Sequence, residues 1–406
     1  MPPRASTCPA PDCRLWYNSG VPASYSLYLH IPFCQVRCAY CDFNTYAGLN
    51  DLIPGYARAL ADEIRGVGLA AGRPAAHTVF FGGGTPSLLP LEALAHILGA
   101  IRDHFALTDD AEITLEANPG TVSRDYLIGL RRLGVNRLSF GVQSSHPHEL
   151  RLLDRLHLFG DAAQAVAWAR AAGFEAVNLD LIFALPHQTL DRWRQTVERV
   201  LALGPDHVSA YALSLEHGTP LRAWVHRGLL PMPDPDLAAD MYLLGDALLR
   251  QNGFTQYEIS NWARPGQACR HNLQYWRNLP YLGFGAGAHG YAAGQRYSNV
   301  LAPAAFIERM ASSKATPFPL SPAHQQTTPI TQDDEIGETM MMGLRLIEEG
   351  VSLDSFLARF RQALPDRFAR EIKRLSARGL LELTEDRLRL TEAGRLLGNQ
   401  VFQEFV

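Results

Sequence analysis

Apolar runs and amphipathic stretches alternate along the first half of the chain. The runs have the length and composition of strands, and the stretches between them have helical periodicity. The predicted strands are residues 27–31, 78–81, 113–117, 135–142, 176–183 and 207–211, and the predicted helices are residues 56–67, 91–105, 124–133 and 192–202, with further helical segments up to residue 172. This order indicates parallel βα units with right-handed crossovers. We therefore predict an α/β fold, a partial six-stranded (β/α)6 barrel with its chemistry at the carboxyl ends of the strands.

The repeat stops near residue 213, and the rest of the chain has a different character. A predicted helix at 237–250 precedes an aromatic, glycine-rich region at 254–297, and the last part is largely helical with a β-type pair at 380–383 and 387–390. Helices followed by a small hairpin indicate a winged-helix-like carboxyl-terminal domain. The predicted division is a flexible tail over 1–24, the barrel over 25–215, a barrel extension over 216–311, a Pro/Ser/Thr-rich connector over 312–331 and the carboxyl-terminal domain over 332–406.

Composition narrows the class of protein. Of the 406 residues 47% are hydrophobic and 19% charged, with a net charge of −4, so nothing favours nucleic acid or an anionic membrane as a partner. The start of the chain lacks the apolar core of a signal peptide, and no apolar run is long enough to predict a membrane span. Six cysteines do not make a disulfide scaffold in a chain of this length. We expect a cytoplasmic protein.

Three cysteines lie in the segment YLHIPFCQVRCAYCDF, directly after the first predicted strand. Cys34, Cys38 and Cys41 have C-x-x-x-C-x-x-C spacing, and Phe43 stands two positions after the last. Four cysteines usually hold an iron–sulfur cube, so three would leave one iron open to another ligand. A zinc site would usually close with four protein ligands. The alternative is that three buried thiols share a loop by chance, but this does not account for their C-x-x-x-C-x-x-C spacing. Cys8 and Cys13 are interpreted as incidental residues of the tail, with metal binding as the alternative.

The first strand carries two polar side chains toward the cysteine loop. Because side chains alternate along a strand, Tyr28 and His30 share one face while their apolar neighbours share the other. We expect both to point into the barrel. The alternative is a pair of core residues with satisfied polar tips.

A glycine run follows the second predicted strand in the segment VFFGGGTPS. Gly82, Gly83 and Gly84, followed by Thr85, allow a close approach of the backbone to a ligand. The alternative is a tight strand-to-helix turn, since a glycine run alone is a weak motif.

Polar residues occur at the ends of three successive predicted strands. Alternation places Glu116, Gln143 and Asp180 opposite their apolar neighbours, on the inner face. Buried carboxylates need partners, which ribose hydroxyls or an amino group would provide. Alternatively, each could bond loop amides or an arginine. Arg155 is either a surface helix residue or a partner for a ligand carboxylate.

The segment CRHNLQYW contains a cluster of aromatic and metal-binding residue types. Cys269 and His271 are residue types that ligate haem iron, and Tyr275 and Trp276 could stack on a macrocycle. The alternative is a structural turn with satisfied core aromatics.

A basic helix near the carboxyl terminus is compatible with DNA binding by a winged helix, but acidic neighbours dilute its charge. We interpret it as a solvated face or a protein contact. Its basic residues are Arg367, Arg370, Lys373, Arg374 and Arg378.

Taken together, the motifs resemble one branch of the radical S-adenosylmethionine (SAM) superfamily, which contains the oxygen-independent coproporphyrinogen III oxidases and the HemW haem chaperones. The similarity runs from about residue 26 to the carboxyl terminus and includes YLHIPFC, FFGGGTPS, LEANPG, RLSFGVQS and NLDLIFALP. It implies a radical SAM barrel whose three cysteines bind a [4Fe–4S] cluster, with SAM on the fourth iron. The residues that the resemblance implies as SAM contacts are Tyr28, Gly84, Thr85, Glu116, Gln143, Arg155 and Asp180, and the candidate cofactor site also includes His30, Tyr40, Gly82 and Gly83.

Two features distinguish the branches. The oxidases carry a further cysteine where this chain has Phe43, whereas the chaperones carry an HNxxYW motif linked to haem, which the segment from His271 to Trp276 matches. The resemblance therefore implies a chaperone that binds haem and passes it to acceptor proteins, with an electron donor as a further partner and homodimer formation left open. The enzymatic alternative is decarboxylation of coproporphyrinogen III to protoporphyrinogen IX, and a third is a nucleic-acid-linked radical SAM protein.

Overall fold

A twelve-stranded sheet is the centre of the fold in the computed structural model, which describes residues 24–312 and 314–406. Apart from Ser24, the predicted tail lies outside the described residues, as do Cys8 and Cys13. The first part of the chain forms β1 (Tyr25–Ile31), β2 (Phe33–Cys34), β3 (Tyr46–Ala47), α1 (Ile53–Ala70), β4 (Ala75–Gly83), α2 (Leu91–His104), β5 (Ala106–Ala117), α3 (Arg124–Arg132), β6 (Arg137–Gln143), α4 (Pro147–Leu152), α5 (Phe159–Ala171), β7 (Ala176–Phe183), α6 (Leu190–Leu201) and β8 (His207–Ala212).

Six strands of this part, in the order β1-β4-β5-β6-β7-β8, are parallel neighbours. This confirms the predicted α/β barrel core. Leu27, Leu29 and Ile31 on β1 are fully buried and belong to the same core as Tyr56 and Leu60 of α1. Burying each such side chain contributes about 1.5–3 kcal/mol. The opposite face of β1 carries the polar side chains Tyr28 and His30.

The next part of the chain extends the sheet at both edges. Its elements are α7 (Pro220–His226), α8 (Pro235–Gln251), β9 (Thr255–Glu258), β10 (Asn261–Ala263), α9 (Arg270–Trp276), β11 (Tyr281–Phe284), β12 (His289–Ala292), β13 (Gln295–Asn299), α10 (Pro303–Met310) and β14 (His324–Pro329). At one edge β10 and β9 follow β8, and at the other β11 pairs parallel with β1 before β12, β13 and β14. β14 lies inside the predicted connector, so part of that connector belongs to the sheet. Its polar sequence, HQQTTP, carries no apolar alternation.

The carboxyl-terminal part has its own small core. It forms α11 (Gln332–Gly343), β15 (Val351–Ser352), α12 (Leu353–Phe360), α13 (Leu364–Arg367), α14 (Ala369–Ala377), β16 (Leu381–Leu383), β17 (Arg387–Leu390), α15 (Glu392–Leu396) and α16 (Gly398–Phe402). The predicted β-type pair corresponds to β16 and β17, and β15 joins β17 in a three-stranded sheet. The basic residues of α13 and α14 are exposed, and Arg367 and Arg374 pair with Asp333 and Glu404.

None of the helices in the described parts of the chain combines the length and the apolar character that crossing a membrane requires.

A buried carboxylate, Glu63 of α1, joins the barrel to its extension. One oxygen accepts hydrogen bonds from Asn299 Nδ2 at 2.7 Å and Ser321 Oγ at 2.6 Å, and the other accepts one from Gly285 N at 2.7 Å. Burial raises the pKa of Glu63 from 4.5 to about 7, although these donors act in the opposite direction.

This raised pKa predicts a loss of stability with rising pH. The folded state holds the proton more tightly than the unfolded state, so the free energy of unfolding should fall between the two pKa values, by about 3 kcal/mol in total. The melting temperature should be measured across this pH range for both proteins. It should depend less on pH in Glu63→Gln than in the wild type, even if the two proteins differ in overall stability. Parallel profiles would contradict the prediction.

Candidate cluster and cofactor site

A cavity of about 480 Å³ opens at the carboxyl ends of the parallel strands. This is the edge where ligands bind in α/β folds. The predicted site residues that line it are Cys34, Cys38, Tyr40, Cys41, Gly83, Gly84, Thr85, Glu116, Gln143, Arg155 and Asp180. The structure thus brings eleven residues from six separate stretches of the chain to the lining of one cavity.

Four predicted site residues do not line this cavity. Tyr28 and His30 line a neighbouring cavity of about 300 Å³, and the Tyr28 hydroxyl lies 3.0 Å from His30 Nδ1. Gly82 is buried beneath Glu116, and a Cβ there would lie 3.2 Å from Glu116 Oε2. His271 lines neither of these two cavities.

The three loop cysteines are free thiols at the cavity wall. Thr85 Oγ1 lies 3.6 Å from Cys34 Sγ, and Arg155 Nη1 lies 3.5 Å from Cys38 Sγ. Burial raises the pKa of Cys34 and of Cys41. Two of the three thiols are thus in contact with polar side chains that line the same cavity.

The donor set fits a cluster better than a single ion. Within the described residues, no three His, Cys, Asp or Glu side chains are arranged to hold one metal ion. An iron–sulfur cube is bound by cysteine thiolates on different irons, so its ligands need to share a wall rather than converge on one point. Cys34, Cys38 and Cys41 meet that requirement and would hold the cluster, which supplies one-electron chemistry when bound.

Gly84 lets the strand end approach the cysteine loop closely. Its N–H donates to Ile31 O at 2.8 Å, and the next N–H, that of Thr85, donates to Phe33 O at 2.8 Å. A Cβ at Gly84 would lie 2.7 Å from Phe33 O and 3.1 Å from Cys34 Sγ. The glycine run is therefore required by a backbone contact as well as by a turn.

Gly84→Ala is expected to displace the cysteine loop, because neither Phe33 O nor the backbone at Ile31 can move freely. We expect a loss of about 1–3 kcal/mol in stability, together with reduced iron content after cluster reconstitution. Gly99→Ala is the matched control: Gly99 lies on α2 with nothing near its Cβ position, and alanine there should stabilise the helix by up to about 1 kcal/mol. Equal iron content and stability in the two variants would refute this role for Gly84.

Two carboxyl groups face the inner part of the cavity. Glu116 Oε2 accepts a hydrogen bond from Gly83 N at 3.1 Å, and Asp180 accepts bonds from Ser139 Oγ at 2.8 Å and Asn178 Nδ2 at 2.7 Å. Burial and the neighbouring Asp180 raise the pKa of Glu116 to about 8. At neutral pH Glu116 is therefore mostly protonated and can donate as well as accept, which suits the hydroxyl groups of a sugar.

Gln143 and Arg155 complete the polar wall. Gln143 has a φ of +68° at the centre of a turn in which Ser144 N donates to Val142 O at 2.9 Å. Such strained backbone concentrates at functional sites. Arg155 lies beyond the end of α4, not on a helix surface; its Nη2 donates to Gly141 O at 2.7 Å, and its buried Nε has no partner among the described residues. Because Arg155 lines the cavity, its guanidinium offers a positive charge there that fits an anionic group such as a carboxylate.

Sequence reasoning missed several lining residues. Ser139, on β6, supports Asp180, and Tyr211, on β8, lines the same cavity. Strand alternation could have found both, because Ser139 shares a face with Gln143, and the polar residues at 207, 209 and 211 share a face of β8.

His271 lies in the core between the barrel and its extension. Its exposed fraction is 1%, its Nδ1 lies 2.7 Å from Thr78 Oγ1, and its Nε2 lies 2.9 Å from the Tyr275 hydroxyl. The ring stacks on Phe80 at 4.9 Å, and burial lowers the pKa of His271 to about 3. Both ring nitrogens of His271 thus have hydrogen-bond partners within the protein, and neither is available to a haem iron in this arrangement. The role of His271 as a haem ligand stays a prediction.

Comparison with known proteins agrees with this geometry. Residues 28–200 match the Radical SAM superfamily, and residues 330–397 match the HemN C-terminal domain. Over 386 residues the chain is 42% identical to the heme chaperone HemW of Mycobacterium tuberculosis, an alignment covering 93% of each chain. The chain belongs to the HemW family of radical SAM proteins. The HemW of Bacillus subtilis is 38% identical, with 94% of this chain and 99% of the relative covered, and that of Escherichia coli K12 is 36% identical, with 94% and 98% covered.

A solved structure extends the similarity to the whole fold. Coproporphyrinogen III oxidase (HemN) from Escherichia coli, described as a radical SAM enzyme, superposes with a TM-score of 0.80 at 26% identity, covering 94% of this chain and 90% of that one. In sequence the HemW relatives are closer than this oxidase. The resemblance seen in the motifs is therefore confirmed at the level of family and fold.

Proposed function

We propose that this protein is a haem chaperone that binds a [4Fe–4S] cluster, SAM and haem and delivers haem to acceptor proteins. The observation that carries the proposal is the 42% identity to a heme chaperone over 93% of both chains. The cavity at the strand ends supports it, since three free thiols and the polar side chains expected for SAM line one wall.

The proposed roles follow from the contacts at the cavity. Cys34, Cys38 and Cys41 ligate three irons of the cluster, and SAM binds the fourth iron. Arg155 is assigned to the SAM carboxylate because it lines the cavity with a positively charged guanidinium whose Nε has no partner among the described residues. Glu116 and Asp180 are assigned to the ribose hydroxyls and the amino group. The remaining proposed SAM-contact residues along this wall are Tyr40, Gly83, Gly84, Thr85 and Gln143.

The proposed partners are haem-acceptor proteins and an electron donor for the cluster. The proposed compartment is the cytoplasm, where free thiols persist in the reduced state that cluster assembly needs.

Anaerobic reconstitution with iron and sulfide, followed by three measurements on one sample, tests the proposal. We expect saturable binding of hemin, transfer of haem to an apo-haem protein, and no conversion of coproporphyrinogen III when SAM and a reductant are added. Absence of hemin binding would refute the chaperone function. Formation of protoporphyrinogen IX would establish the oxidase alternative, for which the superposition on HemN is the supporting observation.

A further inference from the structure

The second cavity, of about 300 Å³, adjoins the cofactor cavity and shares Phe43 with it. Its walls are largely aromatic, with Tyr28, Tyr275 and Tyr281 on the inside. At its mouth Phe43 is 62% exposed and Leu301 is 60% exposed. Exposed apolar side chains grouped at one cavity mark a place where an apolar ligand or surface binds.

The cavity also contains two histidines in contrasting states. His30 is buried, with its Nδ1 on the Tyr28 hydroxyl and its Nε2 2.9 Å from Asn44 O. His289, the first residue of β12, is exposed, and its side chain makes no hydrogen bond or ion pair with any described residue. Burial, and to a smaller extent the nearby His289, lower the pKa of His30. The free imidazole that faces this cavity is therefore that of His289.

The loop that carries His289 is held rigidly against the cysteine loop. Asn44 Nδ2 donates to Ala286 O at 3.1 Å and to Leu301 O at 2.9 Å. Gly287 has a φ of +77°, and a Cβ there would collide with the Asn44 side chain. These contacts fix the backbone that leads into His289 before any ligand binds, which lowers the conformational entropy lost on binding, while the imidazole itself stays without a hydrogen-bond partner among the described residues.

The HNxxYW motif contributes a wall of the cavity rather than a free ligand. His271 is fixed between Thr78 and Phe80 and holds the Tyr275 hydroxyl through Nε2 at 2.9 Å. Tyr275 in turn packs edge-to-face on Tyr281, with ring centroids 4.6 Å apart. His271 therefore acts on this cavity through Tyr275.

We propose that haem binds at this second cavity with His289 as an axial ligand of the iron, and that His271 is a positioning residue for the aromatic wall. The proposal rests on the proposed haem function and assigns its site. A neutral imidazole nitrogen donates its lone pair to the iron and displaces a bound water, as in other histidine-ligated haems. Phe43 and Leu301, exposed at the mouth, provide apolar surface for the macrocycle, and the perpendicular pair Tyr275 and Tyr281 forms the aromatic wall behind them.

Hemin titration of the reconstituted full chain, read by resonance Raman and electron paramagnetic resonance, tests the assignment. His289→Ala should lose the signature of imidazole ligation and weaken hemin binding by about 100-fold, and added imidazole should restore the signature. His271→Ala should keep the signature and weaken binding only about tenfold, and Tyr275→Phe should do the same without an additive loss in the double variant. His96→Ala, an exposed histidine on α2 that lines neither cavity, is the matched control.

The outcomes separate the two proposals. If His289→Ala and a second variant, His289→Gln, keep the imidazole signature while His271→Ala loses it, the assignment to His289 is overturned and the haem function stands. If the wild type does not bind hemin, both proposals fail. Circular dichroism melting of each variant establishes that comparisons are made between folded proteins.

Discussion

Cys38→Ser is expected to abolish the iron–sulfur cluster. Cys38 lies in the cavity wall between two other thiols, and removal leaves only Cys34 and Cys41 to hold the cluster. Serine offers a harder and less readily ionised oxygen in place of a thiolate, which iron–sulfur clusters select. Iron and sulfide per chain after anaerobic reconstitution, and the paramagnetic signal of the reduced cluster, should both fall to background.

The matched control for this prediction is Cys269→Ser. Cys269 is also a free thiol, but it is buried beside α9 and its Sγ lies 3.4 Å from Glu112 Oε1. A serine hydroxyl can make the same hydrogen bond, so this variant should fold and retain full iron. Wild-type iron content in Cys38→Ser, or equal loss in both variants, would show that the loop is not the cluster site.

Arg155→Met should produce the second largest effect, a loss of SAM affinity with cluster content unchanged. The guanidinium is half-buried, is held by Gly141 O at 2.7 Å and has a buried Nε without a partner among the described residues. Removing one partner of a buried charge pair costs about 2–5 kcal/mol, or roughly 30- to 5,000-fold in Kd. Arg155→Lys should fall between wild type and Arg155→Met, because lysine keeps the charge but loses the planar fork.

Equilibrium dialysis of SAM against reconstituted protein measures this effect, after iron content has been matched between samples. Arg151→Met is the control, since Arg151 is an exposed residue of α4 with the same change of charge. Because Arg155 Nη1 also lies 3.5 Å from Cys38 Sγ, a drop in iron would point to a role in the cluster loop instead. An unchanged Kd at matched iron would remove Arg155 from the SAM site.

Much of the barrel was predictable because its signals are local. The strand over residues 176–183 was predicted with the bounds that the structure shows, and β5 was predicted only at its apolar end, since residues 106–112 are mostly polar or exposed. The strands added at the two edges were missed. The added strands join the barrel through distant pairings, β11 with β1 and β10 with β8, and neither β9 (TQYE) nor β14 (HQQTTP) alternates apolar with polar residues in its sequence.

The candidate site divides in the same way. The spacing of Cys34, Cys38 and Cys41 was enough to predict the cluster loop. Strand alternation was enough to predict that Glu116 and Asp180 point inward, because both patterns are set within a few residues. The turn at Gln143 and the unpaired Nε of Arg155 needed the structure, since both arise from how separate strand ends meet.

The sequence by itself determined the βα repeat, the cysteine loop and the family, since periodicity and motif spacing are local properties of the chain. Tertiary structure alone decided which histidine is available. His271 looked like the ligand by residue type, but Thr78, 193 positions away, and Tyr275 occupy its two nitrogens. His289 lay in a glycine-rich stretch and is exposed at a cavity. Burial and hydrogen-bond satisfaction depend on contacts between distant segments, and local patterns do not contain them.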